Sequence, residues 1–168
     1  MRWLWRVLDW LRDKLGLSLP AVPREPVELR PIGVVRNGER ERYEGWASIR
    51  SDLIFRDDLL DAIDGIEGFS HVIVVFYLHG VPDDERTTGR LHPRGDTSIP
   101  EQGVLATRSQ RRPNGIGVSV VPLLRRRKNI LRVQGLDAIN GTPILDIKPY
   151  IPPYDSVPDA RLPTWATR

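Results

Sequence analysis

The sequence HVIVVFYL at residues 71–78 is the clearest strand in the chain and decides its fold class. It is apolar on both faces, which is typical of a strand that lies centrally in a sheet or in a barrel wall. Side chains two residues apart point to the same side of a strand, so one face carries His71, Ile73, Val75, Tyr77 and His79.

Shorter strands separated by turns are predicted on both sides of this segment. The chain contains 14 glycines and 15 prolines, which indicates many turns and argues against a helix bundle. Strands are predicted at residues 31–35, 45–49, 104–107, 117–124, 130–136 and 144–147, a short helix at 56–63, and a long polar loop at 80–103. The sequence therefore predicts a mainly β domain, built as a sheet or a barrel.

Residues 1–26 are predicted to form an extension to a domain at residues 27–168. Residues 1–17 have the spacing of an amphipathic helix, and three prolines then indicate an extended linker. This helix could cover the core of the domain, dock a partner subunit or lie on a membrane surface, and its mixed charges do not favour the membrane. No apolar run reaches the roughly 20 residues of a membrane span.

Several classes of site are excluded by the residue types. Cysteine is absent, which excludes disulfides and cysteine-ligated zinc and permits a reducing, cytoplasmic location. The three histidines are His71, His79 and His92. The first two would lie about 26 Å apart on an extended strand, too far to hold one metal ion, so we expect no metal site. Motifs for a nucleoside triphosphate, a hydrolase nucleophile or a Rossmann cofactor are also absent.

Charge is distributed unevenly along the chain. Residues 1–103 hold fourteen lysines and arginines against eighteen acids, whereas residues 104–168 hold eleven against four. A basic second half suggests a polyanionic partner such as nucleic acid. The alternative is a basic face without a specific partner.

Three segments combine polar side chains with turns or apolar strands. Ser70 and His71 stand at the start of the central strand, residues 107–117 carry three arginines, and Asp137 follows a predicted strand. Each has a structural alternative, namely a capped turn, a solvated basic loop or a turn-stabilising carboxylate. From the residues alone we predict a polar, arginine-containing site on a β-rich domain, and no particular reaction.

Six sequence blocks occur here in an order known from one family. They are PIGVV (31–35), GFSH (68–71), HPRGD (92–96), GVLATRS (103–109), RPNGIGVS (112–119) and the long block from LD (136–137) to GTPILDIKPY (141–150). In these blocks the sequence resembles the TsaA/TrmO-like tRNA methyltransferases. The resemblance implies a single-sheet β-barrel that binds S-adenosylmethionine, works as a homodimer, and N6-methylates N6-threonylcarbamoyladenosine next to the anticodon of tRNA.

The resemblance also implies site residues. It implies a cofactor pocket lined by Asn37, Gly38, Glu39, Ser70, His71, Arg108, Val118, Leu136, Asp137, Ala138 and Ile139. We expect Arg108 to bind a carboxylate of the cofactor or substrate, and His71 or Asp137 to accept or relay the proton of the target nitrogen. We expect tRNA phosphates to contact Arg111, Arg112, Arg125, Arg126, Arg127 and Lys128.

Two other functions stay open. A barrel of this family could bind RNA without catalysis, and retained cofactor binding would argue against that function. A barrel of the same fold could instead methylate a small molecule, in which case reversing the charge of the basic hairpin at residues 125–128 should leave activity intact.

Overall fold

The computed structural model describes residues 10–12, 14–16, 25–39 and 45–167 of the chain. Within them the strands are β1 (Gly33–Arg36), β2 (Arg50–Phe55), β3 (His71–Tyr77), β4 (Arg90–Leu91), β5 (Gln102–Gly103), β6 (Ile116–Arg127), β7 (Ile130–Gln134) and β8 (Pro143–Pro149). A short α-helix, α1 (Pro152–Asp155), follows β8. Single 3-10 turns lie at Trp46–Ser48, Asp57–Leu59, Ile66–Gly68, Asp83–Glu85, Pro93–Gly95, Val104–Ala106 and Thr164–Ala166.

The strands close into an antiparallel barrel in the order β1-β2-β7-β6-β3-β8, with β8 returning to β1. The strands β4 and β5 form a separate two-stranded sheet in the long loop after β3. This architecture confirms the predicted mainly β fold and the single-sheet barrel that the resemblance implied. The central segment is also where we expected it, because β3 pairs with β6 on one side and β8 on the other.

The barrel interior is filled by alternate side chains of its strands. On β3 the inward residues Val72, Val74 and Phe76 are buried, whereas the residues between them are half-buried on the outer wall. Their inward neighbours on other strands are almost fully inaccessible and include Val35, Leu53, Val121, Leu131, Val133 and Ile144. Period-two alternation thus builds the core, as expected for a closed antiparallel sheet.

The outer face of β6 is apolar as well. Val118, Val120 and Leu124 point away from the core and are 41%, 51% and 44% exposed. Across the sheet, Val118 pairs with Val75, and Val120 pairs with Ile73. We call these five residues the β6 apolar face.

Three predicted elements are wrong in type. The strand expected at 45–49 is the 3-10 turn Trp46–Ser48, and the strand expected at 104–107 is the turn Val104–Ala106. In both, a hydroxyl bonds to the carbonyl three residues back, Ser48 to Gly45 at 3.0 Å and Thr107 to Val104 at 2.8 Å, which stabilises a tight turn. The helix expected at 56–63 is the 3-10 turn Asp57–Leu59 followed by further turns.

Most of the predicted N-terminal helix lies outside the described residues. Trp10, Leu11, Arg12 and Lys14 have a helical backbone, and the Lys14 ammonium lies 4.9 Å from the centroid of the Trp10 ring. Leu15 and Gly16 form a turn, and the other residues of that predicted helix and of the linker up to residue 24 lie outside the described residues. In the part of the chain that the structure describes, no helix has the length and apolar character to cross a membrane.

A partly buried ion pair on the barrel wall gives a prediction for the dependence of stability on pH. Arg132 donates two hydrogen bonds to Asp52, at 2.7 and 2.8 Å, and Arg36 adds a weaker one at 3.4 Å. The hydrogen bond from Arg132 is the main reason that the pKa of Asp52 lies below its usual range. A lowered folded-state pKa stabilises the fold above the unfolded pKa of about 3.9, and this stabilisation is lost as pH falls through the folded value.

We therefore expect Asp52→Asn to lower the free energy of unfolding by about 1 kcal/mol at pH 7. The difference from wild type should shrink below pH ~4. Urea unfolding at several pH values would measure it. The matched control is Asp58→Asn, because Asp58 pairs with Arg56 on the exposed surface. A difference that grows with acid would contradict the prediction.

Candidate functional site

An open cavity lies at the end of the barrel where β3 finishes and β6 begins. Its volume is about 320 Å³, within the range of about 300–1,000 Å³ that is usual for small-molecule sites. Among the described residues, its lining consists of Trp46, Phe76, Leu78, His79, Gly80, Val81, Gln110, Asp137, Ala138, Ile139 and Thr142. It opens into a groove of about 1770 Å³, with which it shares Asp137 and part of its apolar wall.

Asp137 is held at this cavity by its two apolar neighbours. Leu136 and Ala138 are buried, whereas Asp137 between them is exposed. The Ala138 amide donates to the Leu136 carbonyl at 2.9 Å, so the backbone turns tightly at Asp137. The core anchors both sides of the turn and leaves the carboxylate at the cavity.

The loop at Asn37, Gly38 and Glu39 supports this turn. The Asn37 side chain donates to the Ala138 carbonyl at 2.8 Å and to the Ser51 hydroxyl at 3.1 Å. The backbone amide of Asn140 donates to the backbone carbonyl of Glu39 at 2.6 Å. The loop therefore packs behind the cavity wall. The side-chain amide of Asn37 stabilises that wall through its hydrogen bonds to Ala138 and Ser51. A direct contact of this loop with the cofactor stays a prediction.

The structure brings His79 to the cavity, where sequence analysis had expected His71. His79 follows directly after β3, and its Nδ1 lies 3.3 Å from the Thr142 hydroxyl oxygen. The sequence feature that could have indicated His79 is its position between the central strand and Gly80, where a strand ends and a loop begins.

Ser70 and His71 lie at the opposite end of β3. His71 is the first residue of the strand and lies opposite Pro122 of β6. Its ring packs edge-on against the ring of Tyr150, with 6.3 Å between the two ring centroids. Six residues of strand separate His71 from Tyr77, which is about 20 Å. Within one chain they therefore do not line the cavity that holds Asp137, and their part in binding the cofactor stays a prediction.

Arg108 and Val118 lie along the groove beside the cavity. The Arg108 guanidinium donates a hydrogen bond to the Val118 carbonyl, and both residues line the groove together with Asp137. The structure thus brings together three of the residues that the resemblance had implied. The charged end of Arg108 keeps further donors for a carboxylate or phosphate.

A buried arginine, Arg86, connects the two sides of the cavity. Its side chain is only 8% exposed, and it donates to the carbonyls of Leu78 and Val81 at 3.0 Å and to the Tyr77 hydroxyl at 3.3 Å. It also lies 3.5 Å from the carbonyls of Gln110 and Arg112. Arg86 was not predicted from the sequence, because a single arginine in a polar loop is usually solvated.

The six basic residues expected to contact tRNA fall into two groups. Arg111 and Arg112 line the groove, and Arg111 pairs with Glu85 at 3.2 Å. The others lie at or just after the far end of β6, about 23–33 Å along the chain from Val118. They are Arg125, Arg126, Arg127 and Lys128.

Arg126 differs from the other three residues at that end. Its guanidinium lies 2.6 Å from Asp64 and 3.0 Å from Glu67, and its side chain is only 14% exposed. Its hydrogen bond holds the pKa of Asp64 below the usual range. Both acids neutralise its charge, so Arg126 ties the hairpin to the turn before β3. This position argues against the phosphate contact that we expected of it.

The chemistry of the cavity suits a ligand with an aromatic ring, hydroxyl groups and a positive charge. Phe76, Leu78 and Ile139 give it an apolar wall, and Asp137 and His79 add a carboxylate and an imidazole. Among the described residues, no three histidine, aspartate or glutamate side chains come close enough together to hold a metal ion.

Comparison with known proteins gives relatives over most of the chain. A probable S-adenosyl-L-methionine-binding protein of Methanothermobacter thermautotrophicus is 40% identical over 136 residues, covering 78% of this chain and 95% of the relative. The tRNA (adenine(37)-N6)-methyltransferase of Escherichia coli is 37% identical over 145 residues, covering 83% of this chain and 54% of the enzyme. The chain thus spans nearly all of the archaeal relative but little more than half of the bacterial enzyme.

The fold has solved counterparts as well. The crystal structure of TrmO from Pseudomonas aeruginosa superposes with a TM-score of 0.65 at 34% identity, over 82% of this chain and 62% of that one. The cofactor prediction is confirmed at the level of the relatives, since archaeal members are named for binding S-adenosyl-L-methionine. The model of the tRNA-methyltransferase O N-terminal domain matches residues 41–156, and the chain belongs to this methyltransferase family.

Proposed function

We propose that this chain binds S-adenosylmethionine and methylates N6 of N6-threonylcarbamoyladenosine next to the anticodon of tRNA. The observation that carries the proposal is the cavity at the end of β3, in which Asp137 and His79 face one space that continues into an arginine-lined groove. The similarity to the E. coli enzyme supports the choice of substrate, because that enzyme is named for methylation of adenine 37 of tRNA.

The cavity residues suggest how the cofactor is held. S-adenosylmethionine supplies a methyl group on a positively charged sulfonium. Phe76, Leu78 and Ile139 give an apolar surface for its adenine, and Asp137 accepts hydrogen bonds from hydroxyl or ammonium groups and attracts positive charge. Arg108 binds a carboxylate with its guanidinium. Most of the rate then comes from holding donor and acceptor in line.

The target nitrogen loses a proton when it gains the methyl group. We infer that His79 or Asp137 accepts this proton, because both are cavity residues and either can act as a general base. His79 takes the part that sequence analysis gave to His71. Substitution of His79 by Gln should lower the rate of methyl transfer more than it weakens cofactor binding.

We infer contacts to tRNA at Arg111 and Arg112 in the groove and at Arg125, Arg127 and Lys128 at the far hairpin. These basic residues would neutralise phosphates, so binding should weaken steeply as salt is added. We infer a cytoplasmic location, because tRNA is a cytoplasmic substrate. The absence of cysteine is compatible with that reducing compartment.

We also propose that two copies of the chain associate through the β6 apolar face. Three apolar side chains of one strand, Val118, Val120 and Leu124, are exposed, and exposed apolar side chains grouped on one face are typical of an interface. Val118 belongs both to this face and to the groove. Association would therefore bring the second copy close to the site.

Calorimetric titration with S-adenosylmethionine tests the cofactor site. We expect wild type to bind and Asp137→Ala to bind about 10–100-fold more weakly, because a charged hydrogen bond contributes about 1.5–3 kcal/mol. Asp146→Asn is the matched control, since Asp146 pairs with Lys148 on β8 outside the cavity. A folded wild type that binds no cofactor would contradict the proposal.

Transfer of labelled methyl groups to tRNA carrying N6-threonylcarbamoyladenosine tests the reaction. We expect transfer to this tRNA and none to the same tRNA without the modification. Cofactor binding without transfer to any tRNA would exclude the proposed substrate.

A further inference from the structure

The groove beside the cavity is several times larger than the cavity itself. Its volume is about 1770 Å³, compared with about 320 Å³ for the cavity. One side of it is formed by the chain end after α1, through Leu162, Pro163, Trp165 and Ala166. These four residues lie beyond the match to the family model, which ends at residue 156.

Trp165 presents an indole at the edge of this groove. The turn Thr164–Ala166 that carries it is closed by hydrogen bonds from the Ala166 amide to Pro163 at 2.9 Å and from the Thr167 hydroxyl to Thr164 at 2.8 Å. The indole is half-buried, and among the described residues it stacks on no other ring and no cation. An aromatic face is therefore available in the groove.

The groove is lined by acids as well as arginines, but two of its arginines, Arg108 and Arg112, form no ion pair with any described acid. The Arg112 guanidinium has no ion pair or hydrogen bond to any described residue, and the hydrogen bond of Arg108 goes to a neutral carbonyl. Arg111 is paired with Glu85 on the surface. Basic side chains beside an exposed aromatic ring are the combination by which proteins bind single-stranded nucleic acid, with phosphates on the cations and bases on the ring.

We propose that Trp165 stacks on a nucleobase beside the methylated adenosine, so that the groove binds single-stranded RNA next to the reacting base. This inference rests on the proposed function, because it assigns the flanking nucleotides of the same substrate. The cavity and the adjoining part of the groove hold the methyl donor and the target, and the segment after α1 holds the neighbouring base. Single-stranded RNA fits better than a duplex, in which bases are stacked on each other and do not offer a free face.

A short single-stranded RNA that contains the fluorescent base 2-aminopurine tests the inference with the full chain. We expect wild type to quench the fluorescence by stacking, and Trp165→Ala to bind the RNA about 5–100-fold more weakly and to lose the quenching. Trp165→Phe should keep most of both, because it retains an aromatic face. Tyr154→Ala is the matched control, since Tyr154 is an exposed aromatic residue of α1 outside the groove.

Calorimetry with S-adenosylmethionine on the same proteins separates this inference from the proposed function. Unchanged cofactor affinity together with weakened RNA binding in Trp165→Ala supports it. Wild-type RNA affinity in a folded Trp165→Ala protein overturns it, as does a groove that binds an acidic or apolar peptide and no RNA. RNA binding that depends on Trp165 in a chain without cofactor affinity would support the groove and exclude the proposed reaction.

Discussion

Replacing Arg86 with alanine is expected to lower the free energy of unfolding by about 3–5 kcal/mol and to remove binding of S-adenosylmethionine. The buried guanidinium satisfies the carbonyls of Leu78 and Val81 and the hydroxyl of Tyr77. Without it these acceptors stay buried with fewer donors, and each costs free energy. The cavity would lose its shape because both backbone carbonyls belong to residues that line it.

Arg86→Lys separates the charge from the geometry of this contact. Lysine keeps a positive charge, but its single ammonium cannot reach as many acceptors as a planar guanidinium. We expect an intermediate stability and cofactor affinity. Arg56→Ala is the control, because Arg56 makes an exposed ion pair with Asp58 that should contribute little. Urea unfolding and calorimetry would measure both effects, and an Arg86→Ala protein as stable as this control would contradict the assignment.

Replacing Phe76 with alanine is expected to cost a similar amount, about 3–5 kcal/mol, because it empties a large site in the core. Phe76 is only 3% exposed and closes the end of the barrel core beneath the cavity. Its ring also fills the place that a side chain on Gly117 would need. A Cβ built on Gly117 would lie 2.3–2.9 Å from three ring carbons, far inside van der Waals contact.

This contact predicts a coupling with a definite sign. Gly117→Ala alone should destabilise by about 1–3 kcal/mol, because the ring must move in a packed core. In a Phe76→Ala background the added methyl group enters vacated space, so its cost should fall by at least about 0.5 kcal/mol. Urea unfolding of the four proteins gives the coupling energy. Strictly additive effects would mean that Gly117 is required for a reason other than the ring.

The barrel could be predicted where a strand carries its own pattern. The run at 71–78 and the short segments predicted as strands at 117–124, 130–136 and 144–147 are local signals, and each corresponds to a strand in the structure. The segments at 45–49 and 104–107 have the composition of strands, but a serine or threonine hydroxyl closes each into a turn. Such a bond competes with sheet pairing and leaves no trace in hydrophobic periodicity.

The site was only partly predictable for a different reason. Asp137, Arg108 and Val118 do meet along one groove, as the resemblance implied. Face analysis of the central strand puts His71 and His79 on the same side, but it does not say which end of a barrel carries a cavity. The role of Arg86 could not be predicted from the sequence, because its hydrogen-bond acceptors lie on separate loops that come together only in the folded chain.

The closed ring of strands also bears on how such a protein can change over evolutionary time. Apart from Phe76, every described residue that lines the cavity belongs to a connection between strands. The strands themselves pair with one another around the barrel through their own backbone hydrogen bonds. Outside the segment that Arg86 holds in place, these connections can therefore change by insertion or substitution while the barrel keeps folding. The strands determine most of the stability and the connections determine which ligand binds. One barrel can therefore serve different substrates in different descendants.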